Sequence, residues 1–192
     1  MQIKQFSGAH GTTATRAKSI EAQQEFVSGD SLGEKPGLGK RAGIGVYFWA
    51  YHPPHYELAA ELAKRWWNFA KTKGWYDKDP DKGCAVLYAS LSVNAEEFLD
   101  FCHDVLLNRL YVTAQKRGIE KPDEFGALYD LLVAEVEQMT RCTIKVISAR
   151  VPSPHSIGYN AVDVVHPLFG HSHCYVVRAD AKSVISLQKA PN

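Results

Sequence analysis

Apolar residues recur along this chain in two periods, one near 3.6 and one near 2, and the switches between them mark out its elements. In "ATRAKSIEAQQEF" the apolar residues Ala17, Ile20 and Phe26 stand among polar ones, which predicts a surface helix. Thr12 or Thr13 occupies the position of its N-cap. "GVYFWA" is a short aromatic and β-branched run and predicts a strand. In "HYELAAELAKRWWNFAKTKG" the residues Ala59, Leu62, Ala63, Trp66 and Ala70 repeat at helical spacing until Gly74 stops them. That spacing turns Trp66 toward the core and leaves Trp67 partly exposed. "CAVLYASLSV" reads as a buried strand, "AEEFLDFCHDVLLNRLYVTAQKRG" and "DEFGALYDLLVAEVEQMT" as two helices, and "TIKVISARV" as a further strand. "CYVVRADAKSVISL" closes the chain as a strand, a turn and a short strand.

Two stretches break the pattern. "VSGDSLGEKPGLGKRAGIG" holds six glycines and a proline in nineteen residues, and "PSPHSIGYNAVDVVHPLFGHSH" holds three prolines and two glycines. Both predict loops. Helices do not follow every strand, so an α+β fold with a mixed or antiparallel sheet fits better than a doubly wound parallel one. At 192 residues the whole chain, 1–192, fits one domain with a sizeable core.

Composition narrows the functional classes only slightly. A net charge of +1 calls for neither nucleic acid nor membrane, although a local basic patch is compatible with it. No apolar run reaches the roughly 18 residues of a membrane span. The opening "MQIKQFSGAH" lacks the apolar core of a secretion signal, so export by that route is not expected. Four scattered cysteines without a CxxC pair suggest reduced thiols and a cytoplasmic setting.

The candidate chemistry begins at "HGTT". Glycine beside histidine lets a ligand approach the backbone, and free amides at a helix start favour an anion; a plain capped turn reads the same way. The order of several segments says more. "AHGTT…AKSI", a glycine-rich loop and "GIGVYFW" leading into an Ala-rich helix together resemble the histidine–tyrosine branch of the ADP-ribosyltransferase superfamily, which includes poly(ADP-ribose) polymerase-like and diphtheria-toxin-like enzymes. "LYASLSVNAEEFLDF" and "CYVVRADAKSVISL" are similar to later segments of bacterial members, with helices inserted at about 96–140. The resemblance implies a split mixed or antiparallel sheet with flanking helices. It also implies an NAD-dependent mono-ADP-ribosyltransferase, a bacterial toxin or phage-defence effector acting on a protein or nucleic-acid acceptor and sometimes paired with an antitoxin or immunity protein.

Breaking the nicotinamide–ribose bond of NAD builds positive charge on the ribose, so such a site must orient the dinucleotide and stabilise that charge. By resemblance, His10 bonds the adenosine ribose and Gly11 offers its backbone to the nicotinamide carboxamide. Thr12, Arg16, Gly45 and Phe48 complete the binding set, with Arg16 able to reach a phosphate. Tyr47 stacks on the nicotinamide, a contact worth about 1 kcal/mol beyond burial. Tyr56 is the nearest candidate for the second ring face, with Tyr51 or His55 as alternatives.

The chain departs from the family where a glutamate usually opens the last main strand. Cys174 aligns there, His173 precedes it, and no glutamate follows Val151. Strand alternation puts Cys174 and His173 on opposite faces, so either could enter the site. This departure favours transfer of a single unit, with a histidine (His155, His166, His171 or His173), Asp100, Asp163 or the acceptor itself supplying the base. A domain that only binds NAD or ADP-ribose, or a protein partner, is the alternative. An RNA 2'-phosphotransferase-like enzyme is another, resting on Arg16, Arg41 and Arg178. "HSHC" with His166 offers zinc-ligand types, but at no structural zinc spacing, so no metal is assigned. Lys35, Lys40 and Arg41 on the glycine-rich loop could meet a pyrophosphate. "KRWWNFAK" interleaves cations with aromatic rings in the manner of a single-strand nucleic-acid surface, against the packing role its periodicity favours.

Overall fold

The computed structural model describes residues 2–26, 42–119, 125–154 and 171–191. Seven strands form one sheet: β1 (Ile3–Thr13), β2 (Val46–Tyr51), β3 (Cys84–Asn94), β4 (Phe98–Asp100), β5 (Val146–Pro152), β6 (His171–Val177) and β7 (Ile185–Gln188). Their order is β4-β5-β6-β2-β1-β3-β7. Every pairing is antiparallel except β4 with β5. Four helices accompany the sheet: α1 (Ala14–Gln23), α2 (Glu57–Thr72), α3 (Asp104–Arg117) and α4 (Phe125–Thr140). The architecture is thus α+β around a mixed sheet, as the interspersed periods predict. No helix among the described residues is long and apolar enough to cross a membrane.

Strand alternation divides the core in two. Ala9, Trp49, Tyr51, Ile147, Ala149, Cys174 and Val176 project from the first face and pack beneath α2, α3 and α4. Val46, Phe48, Leu87, Leu91, Val146, Tyr175 and Val177 project from the second, where α1 contributes Ala17 and Ile20. The sheet curls toward this second face. Phe6 on β1 meets Phe98 on β4 at 4.6 Å between ring centroids, although four places separate those strands.

Local chemistry explains the main boundaries. Thr13 caps α1, its hydroxyl accepting from the Arg16 amide at 3.2 Å. Gly118, at φ 62, ends α3 in the left-handed conformation that glycine adopts without strain.

Two expectations are corrected. The segment from Ala95 does not open a long helix. Asn94 and Glu97 form a reciprocal capping box around a single 3-10 turn. Phe98–Asp100 then joins the sheet beside β5, and α3 starts only at Asp104. Leu110 and Ala114 of α3 and Leu128, Leu132 and Val133 of α4 share one core with Ala9 and Cys174. His171–His173, expected in a loop, begins β6, with Arg150 opposite His173.

Candidate functional site

The segments carrying His10 and Tyr47 are neighbours in the sheet, and their ladder is short. β1 pairs with β3 along its whole length, yet with β2 only through Ser7–Ala9 against Tyr51–Trp49. Past Ala9 the two strands fork, leaving His10, Gly11 and Thr12 on one lip. Phe48, Tyr47 and Val46 form the other and continue to pair with β6. The His10 imidazole reaches across, its Nδ1 lying 2.9 Å from the Tyr47 carbonyl oxygen. A carbonyl only accepts, so Nδ1 carries the proton and Nε2 of the neutral ring is an acceptor. Burial lowers the His10 pKa and the charge of Arg16 lowers it further, against the opposing effect of the Tyr47 carbonyl. The ring is therefore neutral at pH 7, braced by Phe26 (5.3 Å) and Phe48 (5.7 Å).

Gly11 is needed for a reason that involves no ligand. A Cβ there would lie 1.8 Å from the Ala63 carbonyl oxygen of α2, so glycine is what allows this helix to sit against the sheet. Thr12 is buried at the fork, and Thr13 donates its hydroxyl to Asp79 at 2.7 Å. Arg16, expected near a phosphate, is instead held by Asp79 at 2.8 Å and by the Trp75 carbonyl at 3.0 Å, above the Tyr76 ring.

Tyr47 is tied into the "GIG" turn before its own strand. Its hydroxyl donates to the Gly43 carbonyl at 2.6 Å and accepts from the Ala42 amide at 3.0 Å. Burial raises its pKa well above the ordinary tyrosine value. Gly43 has φ 88, open to glycine without strain, and a Cβ on Gly45 would lie 2.4 Å from the Val177 carbonyl oxygen. Asp130 on α4 accepts from the Ile44 amide at 3.2 Å and holds Arg178 at 3.0 Å. Asp130 was not foreseen. Its only trace in the sequence is a carboxylate beside the buried Tyr129 and near Leu132 and Val133 in an apolar helical run.

The catalytic candidates divide between the two faces. His10 and Phe48 project from the second face, and so does His173, whose ring stands 4.9 Å from Tyr175. Tyr47 and Cys174 project from the first. Cys174 has no accessible surface, and burial pushes its thiol pKa far up. It is a protonated core group, unsuited to act as a base. His173 is exposed in the ladder opposite Arg150. Partial burial lowers its pKa, Asp100 opposes this, and Arg150 and His52 reinforce it. Asp100 accepts hydrogen bonds from Ser148 and from the Cys102 amide.

Tyr56 is not brought to Tyr47. It precedes α2 and meets Tyr88 edge-on at 5.7 Å, in a group with Tyr51. Tyr51 lies at the far end of β2 from Tyr47, four residues or roughly 13 Å along the strand, and Tyr88 stands level with Trp49 on the far side of β1. His55 is exposed and bridges to His52. Lys35, Lys40, Arg41, His155, Asp163 and His166 lie outside the described residues. His171 and His173 point away from Cys174 across the sheet, so these three cannot share one ion. Among the described residues no group of three or more His, Cys, Asp and Glu side chains is arranged to hold a metal.

No protein-family model, curated protein or solved structure matches this chain.

Proposed function

We propose that the chain is an NAD-dependent mono-ADP-ribosyltransferase whose dinucleotide site is the fork between β1 and β2. One observation carries the reading: the ladder stops at Ala9 and Trp49, and the neutral His10 imidazole spans the gap to the Tyr47 carbonyl. Backbone without a ladder partner can bond a ligand, and a ligand lying across the opening can meet groups from both faces of the sheet. His10 Nε2 is oriented to accept from a ribose hydroxyl, because its other nitrogen is fixed as the donor. Gly11 offers main-chain amide and carbonyl, and Tyr47 offers its ring, since its hydroxyl is already committed to Ala42 and Gly43. When bound, NAD supplies an ADP-ribosyl group and neutral nicotinamide as the leaving group.

The missing glutamate shapes the rest of the proposal. Cys174 cannot take its place as a base, so the acceptor or His173 removes the proton and one unit is transferred. The acceptor is a protein or a nucleic acid. A cytoplasmic toxin or defence role with an antitoxin partner rests on the family resemblance alone.

A second reading has its own support. The buried Cys174 thiol and the committed Tyr47 hydroxyl suit a domain that binds NAD or ADP-ribose without turnover. The RNA 2'-phosphotransferase reading loses ground, since Arg16 and Arg178 are held by Asp79 and Asp130. Incubation with labelled NAD and cell lysate separates these readings. Label entering protein or RNA supports transfer, and saturable binding with unchanged NAD supports the binding domain. Absence of both contradicts the proposed site.

A further inference from the structure

The two tryptophans of "KRWWNFAK" lie outside the core. α2 buries Ala59, Ala60, Leu62, Ala63 and Ala70 against the sheet. Trp66, Trp67 and Phe69 fall on its flanks, and Trp75 lies just past its end. All four rings are partly exposed, and none belongs to either hydrophobic cluster. This corrects the expectation that Trp66 faces the core. Small residues do the packing here, and the large rings are left at the surface. They are held in place rather than loose: Trp66, Phe69 and Trp75 meet one another at 5.8 Å, and Trp67 Nε1 donates to the Lys82 carbonyl at 3.1 Å.

Ion pairs cancel part of the charge here, and Asp81, beside the Lys82 carbonyl that holds Trp67, has no cation partner among the described residues. Glu61 holds Arg65, Asp77 holds Lys82 and Asp79 holds Arg16. Lys64, Lys71 and Lys73 have no carboxylate partner among the described residues. Two of them lie beside the rings, Lys71 Nζ at 4.8 Å over Trp67 and Lys73 Nζ at 5.6 Å over Phe69.

We infer that the surface around the C-terminal half of α2, where these rings stand on both sides of the buried Ala63–Ala70 line, binds single-stranded nucleic acid. Fixed, partly exposed rings offer stacking faces that every base can use, and lysines beside them meet the phosphates of the same strand. A duplex hides its base faces and gains only the electrostatic part of the interaction. The inference does not rest on the proposed NAD site, and its test needs no NAD.

The test measures fluorescence anisotropy of labelled oligo(dT) and oligo(rU) of roughly 15 nucleotides, with a duplex of equal length as competitor. Single strands should bind at least about tenfold more tightly than the duplex, and Trp67→Ala should weaken them by about tenfold or more. Trp67→Ala could also disturb the fold, so a second variant replaces Lys64, Lys71 and Lys73 with glutamine on the exposed surface. Between about 50 and 200 mM salt it should flatten the slope of log affinity against log salt by about 2, near 0.7 for each lost contact. Equal affinity for duplex, a slope unchanged in the lysine variant, or no binding at low salt would overturn the inference. So would binding to phosphatidylserine vesicles with none to either oligonucleotide.

Discussion

The two faces of the sheet differ in what their polar groups have left to offer. On the first face, beneath three helices, the Tyr47 hydroxyl is bonded to Gly43 and Ala42, and Cys174 is sealed in the core. On the second face, His10 has used one ring nitrogen and keeps the other as an acceptor with no partner among the described residues. The buried Tyr175 hydroxyl likewise has none there, and its pKa is pushed up to about 12, chiefly by burial. Satisfied groups hold a fold together, while unsatisfied ones are free to meet a ligand. Of two residues that the sequence pairs as partners in catalysis, Tyr47 is thus mainly a fastening for its loop, and His10 is the polar group with spare capacity.

Mutations should separate these roles. The largest effect is expected at Gly11→Ala, where the methyl group meets the backbone of Ala63. A loss of about 3 kcal/mol, the upper range for overpacking, should appear in chemical denaturation. Tyr47→Phe keeps the ring and frees the Ala42 amide, so stability should fall by about 1–2 kcal/mol while NAD affinity changes little. Should affinity collapse while stability holds, the division of labour between the faces would be reversed. Cys174→Ala should cost about 1 kcal/mol of packing and leave transfer or binding within about twofold in a labelled-NAD assay. A complete loss in the folded variant would place the thiol in the chemistry after all.

The smallest effect is in pH. The folded-state pKa of His10 is depressed, so the folded protein binds fewer protons than the unfolded chain just below the ordinary histidine value. Stability from this residue is present above that value, about 6.5, and falls as pH drops through it toward the folded pKa. Urea midpoints between pH 7 and 5 should therefore decline less steeply in His10→Gln than in the wild type. His173 shifts in the same direction, so some slope should persist in that variant.

Much of this fold was legible because periodicity reports local packing. α4 follows its apolar spacing closely, α2 does so at Ala59, Leu62, Ala63 and Ala70 though not at Trp66, and "GVYFWA" alternates between two buried faces. The errors arose where a nonlocal partner decided the outcome. Phe98–Leu99–Asp100 has helical neighbours in sequence, yet β5 captures it as a strand and the Phe6 ring packs on it. Arg16 reads as a free cation until Asp79, sixty-three residues on, is found beside it. Of the candidate site, what the sequence made legible was which segments meet: HGT and GIGVYF lie on or next to adjacent strands. Which way their side chains turn depends on the register of β1 against β2, and that is set across the sheet rather than by either motif.

Calorimetric titration of the pure protein with NAD tests the central claim most directly, run in parallel on the wild type and on His10→Ala shown to be folded. Saturable heat in the wild type, with affinity reduced by about 100-fold in the variant, is the predicted result for loss of a buried hydrogen bond at the fork. No heat in the wild type, or the same affinity in both proteins, would contradict it.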